Sequence, residues 1–357
     1  MSDSLVDWGL AERVAGGVAR SGPEGAQPEP LREGPLGDTC AHAAELVRTY
    51  SQLEPTRDIP LLEAVDRQEW SRAVIATLRG LAAELEPDAG VEINLPGPLG
   101  GMARSVVRAA GGTEVGLAAG YAARRVLGQY DISLTDAEQV PRLLFVAPNL
   151  RATATELEVE LEPFVRWVAL HETTHAIQFA SAPWLREHLA SLLRAIVIGA
   201  TQGIGAGDLV RKLARDPRSA LNSLLRGELA SMLAGPKLAP HLDRVQAAMT
   251  LVEGHAEHVM DGAAAGFVPG VEGLRRRIET RRASRGPLET IVSRLLGLDL
   301  KLRQYRLGKE FCDAVAERGG IDALNRAWTG VEALPTLQEL EDPNAWLART
   351  AAMPATA

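Results

Sequence analysis

The chain has 357 residues, a formal net charge of −8, 46% hydrophobic and 24% charged residues, the usage of a folded globular protein with ample core. That acidic balance gives no general polyanion-binding role, and no stretch approaches the roughly 18 apolar residues that span a bilayer. Cys40 and Cys312 stand far apart with no C-x-x-C, and residues 1–20 lack the basic start and unbroken apolar core of a signal peptide, which argues against a disulfide framework or thiolate zinc site and predicts a cytoplasmic location.

From the N terminus, apolar spacing predicts a short amphipathic helix over 4–17 and a Pro- and Gly-rich arm over 21–38. Helical patterns follow over about 39–53 and 61–86. A turn-rich break, Pro96 to Gly101, precedes another helical stretch to about Leu127. Gly112, Gly116 and Gly120 form a small-residue ridge there, read as close helix packing because Glu114 and Arg124 interrupt any membrane-like run. The clearest strand is Arg142 to Pro148, with Glu158 to Leu161 a second candidate.

Phe164 to Phe179 has no Gly or Pro and contains His171-Glu172-Thr173-Thr174-His175. Two histidines four apart on a helix project from one face and can share one metal ion. Glu172, about 100° round the axis, can then take a proton from an activated water without competing for the metal. The preceding apolar residues and the two threonines suit a helix buried beside a dry site. Gln178 and Ser181 stand where H-E-x-x-H-x-x-G-x-x-H would need Gly and a third His, so that pattern is excluded.

Pro183 stops or kinks this helix, and 185–233 reads as several helices forming an insertion that shapes or covers the cleft. Over 236–262, Leu242, Val245, Met249, Val252, Ala256 and Met260 recur at helical spacing and predict one buried stripe. Glu253 lies on its edge, where a carboxylate needs a cation to offset burial. It is the candidate third ligand, with a buried ion pair to an arginine as the plain alternative. Glu257 and Asp261 flank it and suit acceptors for the free ring N–H of a ligating histidine. Glu257 is also the rival ligand. His255 and His258 point away from this face.

Leu274 to Arg285 is densely basic but has no interleaved aromatic residues for base stacking. It is read as a solvated face that compensates nearby carboxylates, so no nucleic-acid partner is expected. Tyr305, in a predicted helix over 298–318 with Arg303 and Arg306 nearby, makes a phenol or a guanidinium available to steady an oxyanion; the alternative for Tyr305 is a core residue with its hydroxyl satisfied.

H-E-x-x-H followed by Glu253-Gly254-His255-Ala256-Glu257 resembles the gluzincin pattern, in whose aminopeptidase branch an E-G-x-A segment delivers the third zinc ligand. The chain also resembles a bacterial family of zinc-dependent metalloproteases of unassigned substrate, one branch of which is associated with deazaflavin-coenzyme biosynthesis. Asp7-Trp8, Val65 to Trp70, Leu170 to Phe179, Glu253 to Asp261, Gln304 to Gly308 and Leu334 to Leu337 carry that likeness. It implies Zn²⁺ on His171, His175 and Glu253, with Glu172 as catalytic base. The long interval between His175 and Glu253 departs from compact thermolysin-like enzymes.

The expected architecture is mainly α with a small β-sheet, a zincin-like metallohydrolase with helical insertions. An N-terminal, mostly helical region over 1–135 would precede a metal-site region over 136–357, the alternative being one continuous domain. Zincins lay peptide substrates along a sheet edge above the metal helix, a role open to the strand at 142–148; the alternative is a short strand that covers the core. The expected function is a zinc metallopeptidase with a peptide or protein substrate and no membrane partner. A zinc-stabilised scaffold or regulatory binding protein, or an amidohydrolase acting on a small metabolite, is the alternative.

Overall fold

A computed structural model describes residues 6–20, 33–89, 98–131, 140–203, 238–283 and 298–353. Its described elements are mainly helical around a three-stranded mixed sheet, as the apolar spacing predicts. None of the described helices is long and apolar enough to cross a membrane.

Helix α1 (Trp8–Arg20) starts on Asp7, whose Oδ1 accepts from the Leu10 amide at 2.8 Å, satisfying one orphan donor of the first turn. It buries Ala11, Ala15 and Ala19, every fourth residue and all small. Helix α4 (Pro98–Ala123) presents the glycine ridge to that stripe. A Cβ at Gly116 would lie 2.6 Å from the Ala11 carbonyl oxygen, and one at Gly120 2.6 Å from Val18 Cβ. The ridge is therefore a close helix–helix crossing between α1 and α4.

Helix α2 (Glu33–Ser51) begins inside the stretch expected to be a loop. The helix expected over 61–86 divides into strand β1 (Leu62–Val65) and helix α3 (Arg67–Ala89). Asp66 accounts for the break. Its Oδ1 accepts from the Gln68 and Glu69 amides, each at 2.7 Å, and Glu69 Oε2 accepts from the Asp66 amide at 2.7 Å. This reciprocal cap fixes a helix start in the Asp66-Arg67-Gln68-Glu69 segment.

After α4 the chain forms strand β2 (Gly128–Asp131), and the expected strand follows as β3 (Arg142–Val146). β3 is central: β1 pairs with it in parallel, Leu62 opposite Leu143, and β2 pairs antiparallel, Gly128 opposite Phe145. Leu143 to Val146 are buried on both faces. An edge role for the strand at 142–148 is thus overturned, because β1 and β2 occupy both sides of β3; the edge beside the candidate site is β2.

Ala147 and Pro148 open helix α5 (Ala147–Glu156). Buried Asn149 donates to the Ala123 and Val126 carbonyls at 2.8 and 2.7 Å and accepts from Arg67 Nε at 2.7 Å, tying the end of α4 to α3 and the sheet. The strand expected from Glu158 to Leu161 is absent: Glu158 has φ of 53° in a turn, and Leu161 starts the next helix.

That helix is α6 (Leu161–Ser181); α7 (Pro183–Gly203) follows it directly, so Pro183 starts a helix as well as ending one. Of the insertion expected over 185–233, residues 204–237 lie outside the described residues. Helix α8 (Ala239–Ala263) packs between α6, α7 and α10 (Leu298–Asn325). Its single apolar stripe is a correction: Leu242 is exposed, whereas Thr250 to Met260 are buried on every side. Helix α9 (Val271–Ala283) carries the basic stretch, and Arg275, Arg277 and Arg281 pair with Asp261, Glu158 and Glu156. Short helices α11 (Leu337–Glu341) and α12 (Pro343–Ala351) close the chain, α11 beginning on a Thr336–Glu339 capping box.

Candidate metal centre

α6 and α8 lie side by side in the main core, and their facing turns bring His171, His175 and Glu253 together. His171 Nε2 and His175 Nε2 are 3.2 Å apart; Glu253 Oε2 lies 3.7 Å from the first and 3.6 Å from the second. Four-coordinate zinc with bonds of about 2.0–2.2 Å places neighbouring donor atoms about 3.3–3.6 Å apart. The three separations bracket that edge length, and two imidazole nitrogens with one carboxylate oxygen are a donor set zinc takes. The residues present fit a zinc ion. Among the described residues this group has three members, and Glu257, the rival ligand, is outside it.

Gly254, next to Glu253, lets α8 lie close against α10. A Cβ there would sit 2.1 Å from the Gly308 carbonyl carbon on α10, and one at Gly308 would sit 2.1 Å from the Thr250 carbonyl oxygen. The glycine beside Glu253 thus serves a backbone-to-backbone helix crossing that sets the position of the Glu253 turn.

Glu172 is buried against β2. Its Oε2 accepts from the Tyr130 backbone amide at 3.1 Å. Gly128 leaves room for it, since a Cβ there would approach Glu172 Cγ to 2.7 Å. Cys40, on α2, lies against Thr173 and Glu172; burial pushes its thiol up to about 12, so it remains protonated and is a poor nucleophile or ligand.

Gln178 is the residue that sequence reading missed. It is fully buried, and its Oε1 lies 2.8 Å from His175 Nδ1. Its amide nitrogen donates to the Val252 carbonyl, 2.9 Å away, and to His255 Nδ1, also at 2.9 Å. His175 must therefore carry its proton on Nδ1, which turns the Nε2 lone pair toward the metal position. Burial, then the charges of His258 and His175, lowers His255 to about 3, so it stays neutral and can accept from Gln178. One amide orients His175 on α6 while gripping α8 at the residue before Glu253. The only advance signal was a glutamine three residues after His175. Gln178→Ala should lower zinc affinity by roughly 10–100-fold, measured by competition with a chelator; unchanged affinity would remove Gln178 from this role.

The remaining candidates lie elsewhere. Asp261 pairs with Arg275 and with Lys309 at 2.9 Å. Lys309 also binds Asp313, whose Oδ1 is 2.7 Å from His258 Nδ1. Glu257 is buried on α8. Tyr305 falls within α10, but its side chain is outside the described residues.

Burial disfavours a charged His175, yet the Glu253 carboxylate outweighs it, with Glu172 and Gln178 adding, and pushes the ring up to about 9. In the metal-free protein this pairing adds stability that is complete below about 6.5 and is lost as pH rises through about 9. Zinc takes only the neutral ring, so zinc binding at pH 7 should release a proton and tighten as pH rises toward 9. Titrating zinc chloride into weakly buffered protein at pH 7 and pH 9.5 checks this; equal acid release at both would contradict it.

Comparison with known proteins accords with this geometry. The chain matches the zincin-like metallopeptidase family over residues 6–347. It is similar to a crystal structure from Chloroflexus aurantiacus described as a candidate hydrolase with a novel fold, with 27% identity and a TM-score of 0.69, covering 98% of this chain and 100% of that one. No curated protein matches. A match spanning nearly the whole chain, including both helices that meet at His171, His175 and Glu253, places this protein in the zincin-like metallopeptidase family.

Proposed function

We propose that this protein is a zinc-dependent peptidase in which His171, His175 and Glu253 hold the ion and Glu172 moves the proton. The observation that carries the reading is the convergence of two ring nitrogens and one carboxylate oxygen, 3.2–3.7 Å apart, from helices far separated in sequence. A bound Zn²⁺ supplies Lewis acidity, acidifying a water and polarising a carbonyl. Glu172, anchored through Oε2 by the Tyr130 amide, is the carboxylate that takes the water proton and passes it to the leaving amine. Gln178 holds His175 in the ligating tautomer, and Gly254 with Gly308 holds Glu253 in reach. A purely structural zinc site is normally closed by four protein ligands; three among the described residues favour a hydrolytic site over a scaffold.

Metal analysis of purified protein tests the ligand set. The parent should hold about one zinc per chain, as three protein ligands and one open position imply. His171→Ala and Glu253→Ala should lose it with the helical circular dichroism retained, and Glu257→Gln should keep it. Full zinc retention in Glu253→Ala, or zinc loss confined to Glu257→Gln, would reassign the third ligand.

A further inference from the structure

We propose that the metal centre takes its substrate as a short unit, because Glu172 closes the β2 edge on which a longer peptide would pair as a strand. The inference names the substrate class of that same site, so it deepens the peptidase reading and rests on it.

The pairing of β2 with β3 decides which backbone groups of β2 face outward. The Val146 amide donates to the Leu127 carbonyl at 2.9 Å, and Gly128 and Tyr130 stand opposite Phe145 and Leu143. Hydrogen-bonded and non-hydrogen-bonded pairs alternate along an antiparallel ladder. Gln129 and Asp131 therefore turn their N–H groups to β3, while Gly128 and Tyr130 turn theirs to the open edge. On β2 an incoming strand thus meets two donors, the Gly128 and Tyr130 amides.

Glu172 lies against both positions. Its Oε2 accepts from the Tyr130 amide at 3.1 Å, the place that a paired strand's carbonyl oxygen would fill. Its Cγ, Cδ and Oε1 lie 2.7, 3.0 and 3.1 Å from where a Gly128 Cβ would stand, so the side chain fills the notch that the glycine leaves. A neighbouring strand runs about 4.8 Å away, in space that this carboxylate already holds. Displacing it is unfavourable on two counts. A hydrogen bond to a carboxylate is roughly twice as strong as one to a neutral peptide carbonyl. Glu172 is also buried, at 7% exposure, and a buried carboxylate that loses a donor keeps its desolvation cost.

The consequence is a limit on what the site can grip. Strand pairing supplies main-chain affinity that grows with the number of residues paired. With the Tyr130 amide taken, the four residues of β2 keep the Gly128 amide as their one outward donor. A polypeptide gains little from such an edge, and recognition falls to the groups around the reacting amide. Short peptides, such as dipeptides and acylated amino acids, forgo nothing and are the class that fits. The carboxylate that accepts the proton is also the group that restricts substrate length.

Two measurements test the closure. The first uses calorimetry on zinc-loaded protein with hydroxamates, which anchor on the ion. Two series extend from it in opposite directions, N-acetyl-alanyl hydroxamates and N-hydroxysuccinamoyl alanine amides, each with mono- and tetra-alanine members. In the parent, and in Glu172→Gln, whose carbonyl can still accept from Tyr130, both lengths should bind within about threefold of each other. In Glu172→Ala the tetra-alanine member of one series should bind roughly 10–100-fold more tightly than the mono-alanine member, the range for two neutral hydrogen bonds. A gain of about tenfold or more with length in the parent or in Glu172→Gln would overturn the closure, as would length-independent binding in Glu172→Ala. The parent series stands alone should Glu172→Ala fail to fold. The second measurement needs neither metal nor substrate. With ¹⁵N-tyrosine labelling, the Tyr130 amide should exchange slowly with solvent in the parent and about 10-fold faster in Glu172→Ala; equal rates would overturn the closure. The parent enzyme should also cleave acetylated di- and hexa-alanine with similar kcat/KM. Length-independent hydroxamate binding with no cleavage of either peptide would retain the closed edge and refute the peptidase reading.

Discussion

Glu172→Gln should retain zinc and lose peptide turnover by roughly 10²–10⁴-fold, the range that removal of a general base produces. The substitution is nearly isosteric, so the notch left by Gly128 still accommodates the side chain. A glutamine carbonyl can still accept from the Tyr130 amide, the bond that holds Glu172 Oε2 at 3.1 Å. What changes is chemistry: an amide cannot take a proton at neutral pH. The measurement is kcat/KM on a peptide mixture read by mass spectrometry, alongside zinc content and the unfolding midpoint. Turnover equal to the parent, with zinc and stability unchanged, would remove Glu172 from the reaction.

The largest expected effect on stability is at Gly254. The added methyl of Gly254→Ala would meet three backbone atoms of Gly308, its carbonyl carbon at 2.1 Å and its Cα and oxygen at 2.4 Å. No rotamer change relieves a clash with backbone, so α8 and α10 must separate. Overpacking of side chains costs about 1–3 kcal/mol, occasionally more; two rigid backbones place this variant at or above that upper end. Glu253 is the adjacent residue, so zinc binding should weaken together with stability. Gly17→Ala is the control. Gly17 is exposed on α1, a Cβ there meets nothing within 4 Å, and the change should stabilise by up to ~1 kcal/mol. Urea unfolding of both variants decides it; equal midpoints, with zinc retained at position 254, would show that the crossing has slack.

The candidate ligand group was legible in sequence because much of its geometry is local. His171 and His175 are one turn apart, and any helix through them creates the pair. Glu253 could be singled out because a carboxylate beside an apolar face needs a compensating cation. What stayed hidden depends on partners distant in sequence. Gln178 acts through Val252 and His255, and nothing near it in the chain predicts which helix will arrive. The strands β1 and β2 have four residues each, too few for a period of two to emerge, and Leu-Leu-Glu-Ala-Val reads equally well as helix. Asp261 shows the limit of a helical wheel. Its angular position suits a histidine neighbour, but α9 and α10 supply Arg275 and Lys309, whose stronger charges claim it. The stripe expected on α8 failed for a similar reason, since helices pack around its middle turns and leave no solvent-facing side.

Because a buried amide clasps the helices that carry His175 and Glu253, part of what sets their separation is a cross-link that does not run through the chain joining them. A search filtered on a fixed count of residues between H-E-x-x-H and the distal glutamate keys on that joining chain, whereas one requiring a glutamine three places after the second histidine keys on the cross-link itself.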